Sequence, residues 1–351
     1  MGYYIGMSAI QTDLEEQFLA LVNTYPSPHN GQPIVLKQLS SDSYDVYFET
    51  ARGLSSTPMS YLFSFVTVGV FARFVERCGQ ALGHKVELAM HLPDEKDMAE
   101  PGLLPLGRFR VQYNATNPDA DLAQAIRFRQ TSRKKYQSGL TETEKEVVGA
   151  CAKNYGLAAL FTDDNTASQI IWLNQRAVFD DMFNPAVRAE LMHWLRFSHA
   201  EKIQKKDGLS YDCMELSGGM LRFVGKHYRV LRWPIIAPLL KNYYLRTMRD
   251  ASTVGYVTSA FQEPADAYRI GQFISDAWLE LSKGGAYLHP FGTIVSNEQA
   301  HTDFTRLVGV THESRDENHV VFIFRAGRSP EPVKSERLAV KDHLRKETGN
   351  V

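Results

Sequence analysis

A spaced repeat constrains this chain more than any single motif. Gly69-Val70-Phe71 heads a run that ends at Gly83, and Gly271-Gln272-Phe273 heads one that ends at Gly285, with the same Gly–x–Phe–(x)11–Gly spacing. Both runs fall on long, largely apolar stretches, and we expect helices over 59–82 and 265–283. Glycine inside a helix costs about 1 kcal/mol relative to alanine, so two at matching places call for a reason. A close crossing of the two helices at Gly69 and Gly271, arising from a duplicated unit, is one. Two unrelated buried helices that each carry a packing glycine are the other. The 351 residues are about twice the usual domain size and allow either two units or one large one.

Around these helices the pattern alternates between both kinds of element. Residues 12–23 carry Leu14, Phe18, Leu21 and Val22 at helical spacing. Strands are expected over 34–39 and 44–49, and again over 85–91 and 108–113. A boundary follows at about 114–119. Beyond it, helices are expected over 122–128, 141–152, 166–179 and 185–197, with Thr141 and Glu144 forming a capping box. Strands are expected over 254–261 and 320–325. The stretch 208–250 is helical in parts, broken by Pro234 and Pro238, and basic, with no acid from Leu216 to Arg249.

Composition excludes some partners and leaves others. Hydrophobic content of 44% supports a sizeable core, and a net charge of −1 gives no electrostatic case for nucleic acid. Cys78, Cys151 and Cys213 are odd in number and widely spaced, which suits a reducing compartment rather than a disulfide framework or a zinc site. Met1 to Ile10 has neither a basic region nor a long apolar run, so no export signal is expected; Met7 is an alternative start. A cytoplasmic location is expected. No metal is expected, since His193 and His199 do not share a helical face.

Three constellations can do chemistry. Pro26-Ser27-Pro28-His29-Asn30-Gly31-Gln32-Pro33 is a stiff loop rich in hydrogen-bonding side chains. It can hold a planar heterocycle, or simply be a turn whose Asn and Ser satisfy local backbone groups. Arg129-Gln130-Thr131-Ser132-Arg133 places two guanidiniums and two hydroxyls beside a helix end, a set suited to phosphate. Its alternative is a solvated basic run continuing into Lys134 and Lys135. Last, Arg325, Arg328, Lys334 and Arg337 follow the final apolar strand, as a surface tail or as the rest of a phosphate site.

Together these motifs resemble the FMN-dependent nitroreductase family. That family has an Arg-x-Ser-x-Arg/Lys motif holding FMN, a Pro-Ser-x-x-Asn-x-Gln-Pro loop supplied across a dimer interface, and basic residues near the C-terminus. Pro26, Ser27, Asn30, Gln32 and Pro33 match the loop. Arg129, Thr131 and Arg133 match the arginine motif, with threonine in place of serine. Lys334 and Arg337 resemble the terminal pair, with one extra residue between them. The resemblance also points to a loop passing the reactive edge of the flavin, here His289-Pro290-Phe291-Gly292. Relatives often carry a glutamate there; with Phe291, a backbone donor remains, and core packing of Phe291 is the alternative.

The motifs are unevenly distributed. The first half has the loop without an arginine motif, and the second has the arginine motif without the loop. This resembles the tandem-domain, Acg-like branch, in which one chain imitates a dimer. It implies an α+β nitroreductase-like fold with mixed or antiparallel sheets packed with helices. The two fused halves, 8–115 and 120–340, form a pseudo-dimer, with a lid-like insertion at about 208–250. The implied function is FMN-dependent oxidation of NAD(P)H with a nitroaromatic, quinone or similar small-molecule acceptor. No protein catalytic side chain is implied, because the cofactor performs the redox step. A flavin-sequestering protein with little turnover is the rival. The basic segment can be a lid, an interfacial helix pair meeting anionic lipid, or a solvated surface. Association with a membrane is not expected from the sequence, nor is nucleic acid.

Overall fold

The computed structural model describes residues 2–54, 56, 60–114, 116–248, 252–310 and 318–346. Met59, Ala115, Arg249 and Asp250, which bound or belong to segments predicted above, lie outside the described residues.

The chain opens with α1 (Gly2–Val22), which buries Phe18, Leu19, Leu21 and Val22. The proline-rich loop contains one 3-10 turn, Pro28–Asn30, and leads into β1 (Ile34–Ser40) and β2 (Ser43–Glu49). Then come α2 (Ser60–Leu82), β3 (Lys85–Met90), the short α3 (Glu95–Ala99), β4 (Leu103–Gln112) and α4 (Ala120–Phe128). Helix α5 (Glu142–Asn154) starts with the predicted capping box. Thr141 Oγ1 accepts from the Glu144 N–H at 3.3 Å, and the Glu144 carboxylate accepts from the Thr141 N–H at 2.9 Å.

Strand β5 (Ala158–Phe161) precedes α6 (Asp164–Asp181), α7 (Pro185–Trp194), β6 (Leu195–Arg196), α8 (His199–Lys205) and β7 (Leu209–Ser210). Next are α9 (Gly218–Lys226), a 3-10 turn Tyr228–Arg232, and α10 (Ile236–Leu245). The chain finishes with β8 (Thr253–Ser259), α11 (Pro264–Lys283), β9 (Tyr287–Pro290), α12 (Gly292–Ser296), α13 (Glu298–Leu307), β10 (His319–Gly327), α14 (Val340–His343) and β11 (Leu344–Lys346). The protein is therefore α+β.

The strands form two main sheets with one shared logic. The first has the order β11-β1-β2-β4-β3, and the second β5-β8-β10-β9. Omitting β11, the orders correspond: β1 with β5, β2 with β8, β4 with β10, β3 with β9. All six of those neighbouring pairs are antiparallel. Helix α2 leads to β3 as α11 leads to β9. The glycine that ends each repeat sits between them in the left-handed region, Gly83 at φ +72° and Gly285 at φ +77°. Glycine is the residue that takes this position at a helix C-terminus without steric penalty.

The two long helices cross at the first glycine of each repeat. A Cβ on Gly69 would lie 1.9 Å from the carbonyl oxygen of Tyr268, and one on Gly271 would lie 2.0 Å from that of Val66. Tyr268 precedes Gly271 by three residues, as Val66 precedes Gly69. The contact is thus reciprocal, the arrangement that a twofold axis imposes on two copies of one surface. Phe71 and Phe273, the phenylalanines of the repeat, are both buried, each worth roughly 1.5–3 kcal/mol in removed apolar surface.

Core packing crosses the sequence boundary at 114–119. One cluster joins Phe18, Tyr44, Phe48, Phe71 and Phe109 to Leu122 and Ile126 of α4 and Leu279 of α11. A second joins Leu62, Phe65, Val66 and Val70 of α2 to Ile270, Phe273, Trp278 and Phe324. A third packs α6, α12 and α13 on β8 and β10. The connection between β1 and β2 is residues 41–42, whereas that between β5 and β8 is residues 162–252. The segment 208–250 is thus part of a much longer connection, called the inserted region below. The predicted helix over 185–197 stops at Trp194, because Leu195 and Arg196 leave helical geometry to pair with Leu209 and Ser210. No described helix is long and apolar enough to cross a membrane.

Because the atoms facing Gly271 are backbone, they cannot move aside as a flexible side chain would. Gly271→Ala should cost on the order of 3 kcal/mol by overpacking. Gly149→Ala on α5, where a Cβ meets nothing within 4 Å, should be neutral or stabilise by up to about 1 kcal/mol. Denaturant unfolding of both variants measures the difference.

Candidate functional site

The end of α1 gathers two arginines from distant parts of the chain. Arg129, at the C-cap of α4, donates from Nη2 to the Thr24 carbonyl at 2.8 Å. Arg337 donates from Nε to the neighbouring Asn23 carbonyl at 2.8 Å. These carbonyls lie in the turn that directly follows α1, at the helix end whose partial negative charge favours cations. Arg129 lies over the Trp278 ring at 4.9 Å, and Arg337 over the Tyr25 ring at 5.2 Å. Burial and their mutual repulsion push Arg129 down to about 9, and burial pushes Arg337 down to about 10. Arg129 Nε, Arg337 Nη2 and Trp278 Nε1 are enclosed with no hydrogen-bond partner among the described residues.

The proline-rich loop sits against this pair. Asn30 Oδ1 accepts from Arg337 Nη1 at 2.9 Å, and Asn30 Nδ2 donates to the Glu336 carbonyl at 2.9 Å. Ser27 Oγ accepts from the Gln32 N–H at 2.9 Å. Gln32 is wholly buried and holds three segments at once. Its amide donates to the carbonyls of Asn30 (3.2 Å) and Lys206 (3.0 Å), and its oxygen accepts from the Leu338 N–H at 3.0 Å. Pro26 is half-buried in the same loop. His29, Asn30 and Gln32 have φ of +51°, +53° and +54°, three non-glycine residues in the left-handed region within four positions. Each such residue costs about 1–3 kcal/mol and persists only where surrounding contacts enforce it.

Those contacts include residues that nothing in the sequence singled out. Arg52 Nη1 donates to the Gly31 carbonyl (2.8 Å) and pairs with Asp207 (3.1 Å), and Asp207 also pairs with Arg196 at 2.6 Å. The loop is thereby clamped to the inserted region.

Arg133 lies further along the same seam. Burial lowers its pKa, and its Nη1 reaches the Cys213 carbonyl at 3.4 Å. His29 from the loop and His289 from β9 both feel its positive charge, which adds to burial in lowering them. His289 Nδ1 accepts from Arg325 Nε at 3.2 Å, and the fully buried Arg325 lies over the Tyr136 ring at 4.7 Å. Arg325, expected in a charged tail, instead sits inside β10. Thr131 is half-buried and bridges to Leu288 of β9, while Ser132 is buried and shares a 2.7 Å hydrogen bond with Ser329.

Other predicted site residues lie elsewhere or are otherwise engaged. Lys334 is exposed, so the phosphate role expected for it finds no support in its placement. Phe291 is buried in the cluster of α6, α12 and α13, and its N–H donates to the Ile323 carbonyl at 2.8 Å. The backbone donor expected there is therefore already engaged, and core packing is the observed role. Pro290 pairs with Phe324 in the sheet and has no N–H to offer. Gly292 is exposed at the start of α12.

The arrangement yields two predictions. Gln32→Leu keeps the volume but strands three buried backbone groups, so it should cost about 1–3 kcal/mol. Hydrogen exchange at residues 336–339 should accelerate. Second, burial, with the charges of Arg133 and Arg325, holds His289 well below its ordinary value. The unfolded chain then binds more protons than the folded one below about pH 6.5, so stability should fall as pH drops through that value. His289→Gln, which keeps an acceptor, should flatten this acid limb in pH-dependent melting.

No family model matches this chain, and no curated protein matches it. Among solved structures, it is similar to a crystal structure of a mutant of the FMN and NADPH-dependent nitroreductase NfnB, derived from sphigopyxis sp. strain HMH. The identity is 12%, the TM-score 0.37, and the match covers 63% of this chain and 96% of that one.

Proposed function

We propose that this chain binds one FMN at the seam between two nitroreductase-like halves and uses it to pass electrons from NAD(P)H to a small-molecule acceptor such as a nitroaromatic or quinone. One observation carries the reading. Arg129, Arg133 and Arg337 are half-buried arginines whose contacts among the described residues are carbonyls, an amide oxygen and aromatic rings rather than carboxylates. A charge desolvated in this way is stabilised by a counter-charge. A phosphate supplies one, and the unpartnered Arg129 Nε and Arg337 Nη2 are donors suited to it.

Capping of α1 accounts for one hydrogen bond from each of Arg129 and Arg337 but not for these two atoms. Thr131 would add a hydroxyl at the phosphate, and Arg133 would place positive charge beside the ring's pyrimidine edge. Ser27, Asn30 and Gln32 would wall the ring from the other half, with Pro26 stiffening the loop. When bound, FMN supplies the hydride and electron transfer; the protein's part is to bind, orient and exclude water. The matching strand orders and the reciprocal Gly69–Gly271 crossing support the tandem reading.

A second reading is a flavin-sequestering protein with little turnover. It is favoured by the covering of the loop, where Gln32 is shut in by Lys206 and Leu338. Anaerobic mixing of the FMN-loaded protein with NADH or NADPH separates the two: rapid bleaching supports the enzyme, persistent yellow colour the binder.

Arg129→Glu sets an anion where the phosphate would sit. FMN affinity should fall by on the order of a hundredfold, about 3 kcal/mol, while circular dichroism stays near wild type. Quenching of free-FMN fluorescence measures the affinity. A protein that takes up no FMN at all would end this proposal.

A further inference from the structure

The inserted region carries a surface that the flavin reading does not use. Helices α9 and α10 and the 3-10 turn between them pack one side inward. Leu231 is buried against Phe179 and Met182, with Val224, Tyr228, Leu240 and Tyr244 completing the contact. The opposite side is apolar as well. Trp233 is 53% exposed, Ile235 81%, Leu239 66% and Phe223 48%. Ile235, the N-cap of α10 in helical backbone geometry, and Leu239 are four residues apart and so lie on the same side. Soluble surfaces seldom gather large apolar side chains in one short segment without a use for them.

The segment that carries this apolar group bears charge of one sign. From Leu216 to Met248 the chain has six basic residues, Arg222, Lys226, Arg229, Arg232, Lys241 and Arg246, and no acid, within a molecule of net charge −1. Arg222 pairs with Glu201 at 2.7 Å, while Lys226, Arg229 and Arg232 are exposed. Beside the apolar residues, between α6 and α10, lies a cleft of about 300 Å³ lined by Arg176, Arg232, Trp233 and Lys241, with Asp180 the one acid among its lining residues.

We propose that this face docks on an anionic phospholipid surface. Ile235, Leu239, Phe223 and Trp233 would enter the headgroup–acyl boundary, the exposed basic residues would meet lipid phosphates, and the cleft would take a headgroup. An amphipathic, basic, Trp-bearing helical pair is suited to that boundary. A second copy of the chain is a poorer occupant, because a symmetric contact would set the same positive patch against itself. The attachment is peripheral, in keeping with the absence of a spanning helix among the described residues.

Co-sedimentation with phosphatidylcholine vesicles, with and without phosphatidylserine, tests the proposal on the full chain and needs no flavin. We expect binding to the anionic vesicles only, weakened by salt. A blue shift of tryptophan emission should accompany it and disappear in Trp233→Phe. Ile235→Asp with Leu239→Ser should lower vesicle affinity at least tenfold. Both positions are exposed, so the melting temperature should be unchanged. No sedimentation with anionic vesicles overturns the proposal. So does binding that the double variant leaves intact. Retention on immobilised polyglutamate without vesicle binding would also overturn it, assigning the face to an acidic protein partner.

Discussion

Two backbones in near-contact organise this molecule. Where α2 meets α11, Gly69 and Gly271 leave no room for a methyl group, and the helices lie closer than side chains would normally permit. That proximity puts Trp278 of α11 under Arg129, and it lets Asp276 of α11 gather Arg73 and Arg77 of α2, with Tyr155 at the end of α5 as a third partner. It also allows α2 to serve two hydrophobic clusters. Widening the crossing by the thickness of one side chain would disturb all of these contacts together, because interiors packed at crystal-like density transmit displacement rather than absorb it.

Against this frame, the treatment of positive charge is selective. Asp276 serves Arg73 and Arg77, Asp207 serves Arg52 and Arg196, Asp212 serves Lys202, and Glu144 grips Arg328 with both oxygens. The fold is thus well able to supply carboxylates to enclosed cations. At Arg129, Arg133 and Arg337 it supplies carbonyls, an amide oxygen and aromatic faces instead. Such groups orient a guanidinium without neutralising it. Desolvation then lowers all three pKa values, and an incoming anion would reverse that shift.

Much of the frame was legible from periodicity. The long helices, the capping box at Thr141 and the strands at 34–40, 43–49 and 319–327 are local patterns that tertiary packing reinforced. The missed strands were those without a local signature. Strand β5 is four residues at a sheet edge, β9 ends in a proline, and β11 exists only through its parallel pairing with β1. The candidate site was legible where motifs are contiguous, at 26–33 and 129–133. Arg52 and Asp207 stand far apart in the chain, and only the fold joins them. Arg325 and Phe291 mark the opposite limit. The same residue types serve as surface charge, cofactor contact or core, and the sequence carries nothing that distinguishes these uses.

The unequal connections between matching strands have a consequence of their own. The first sheet joins β1 to β2 through residues 41–42, and the second joins β5 to β8 through residues 162–252. Two identical subunits related by a symmetry axis must carry any embellishment in duplicate, and both copies must be tolerated in the same assembly. A single polypeptide is free of that obligation. One side can stay bare and serve as a wall while the other grows a large structured loop, and a change selected on one side leaves no shadow on its counterpart.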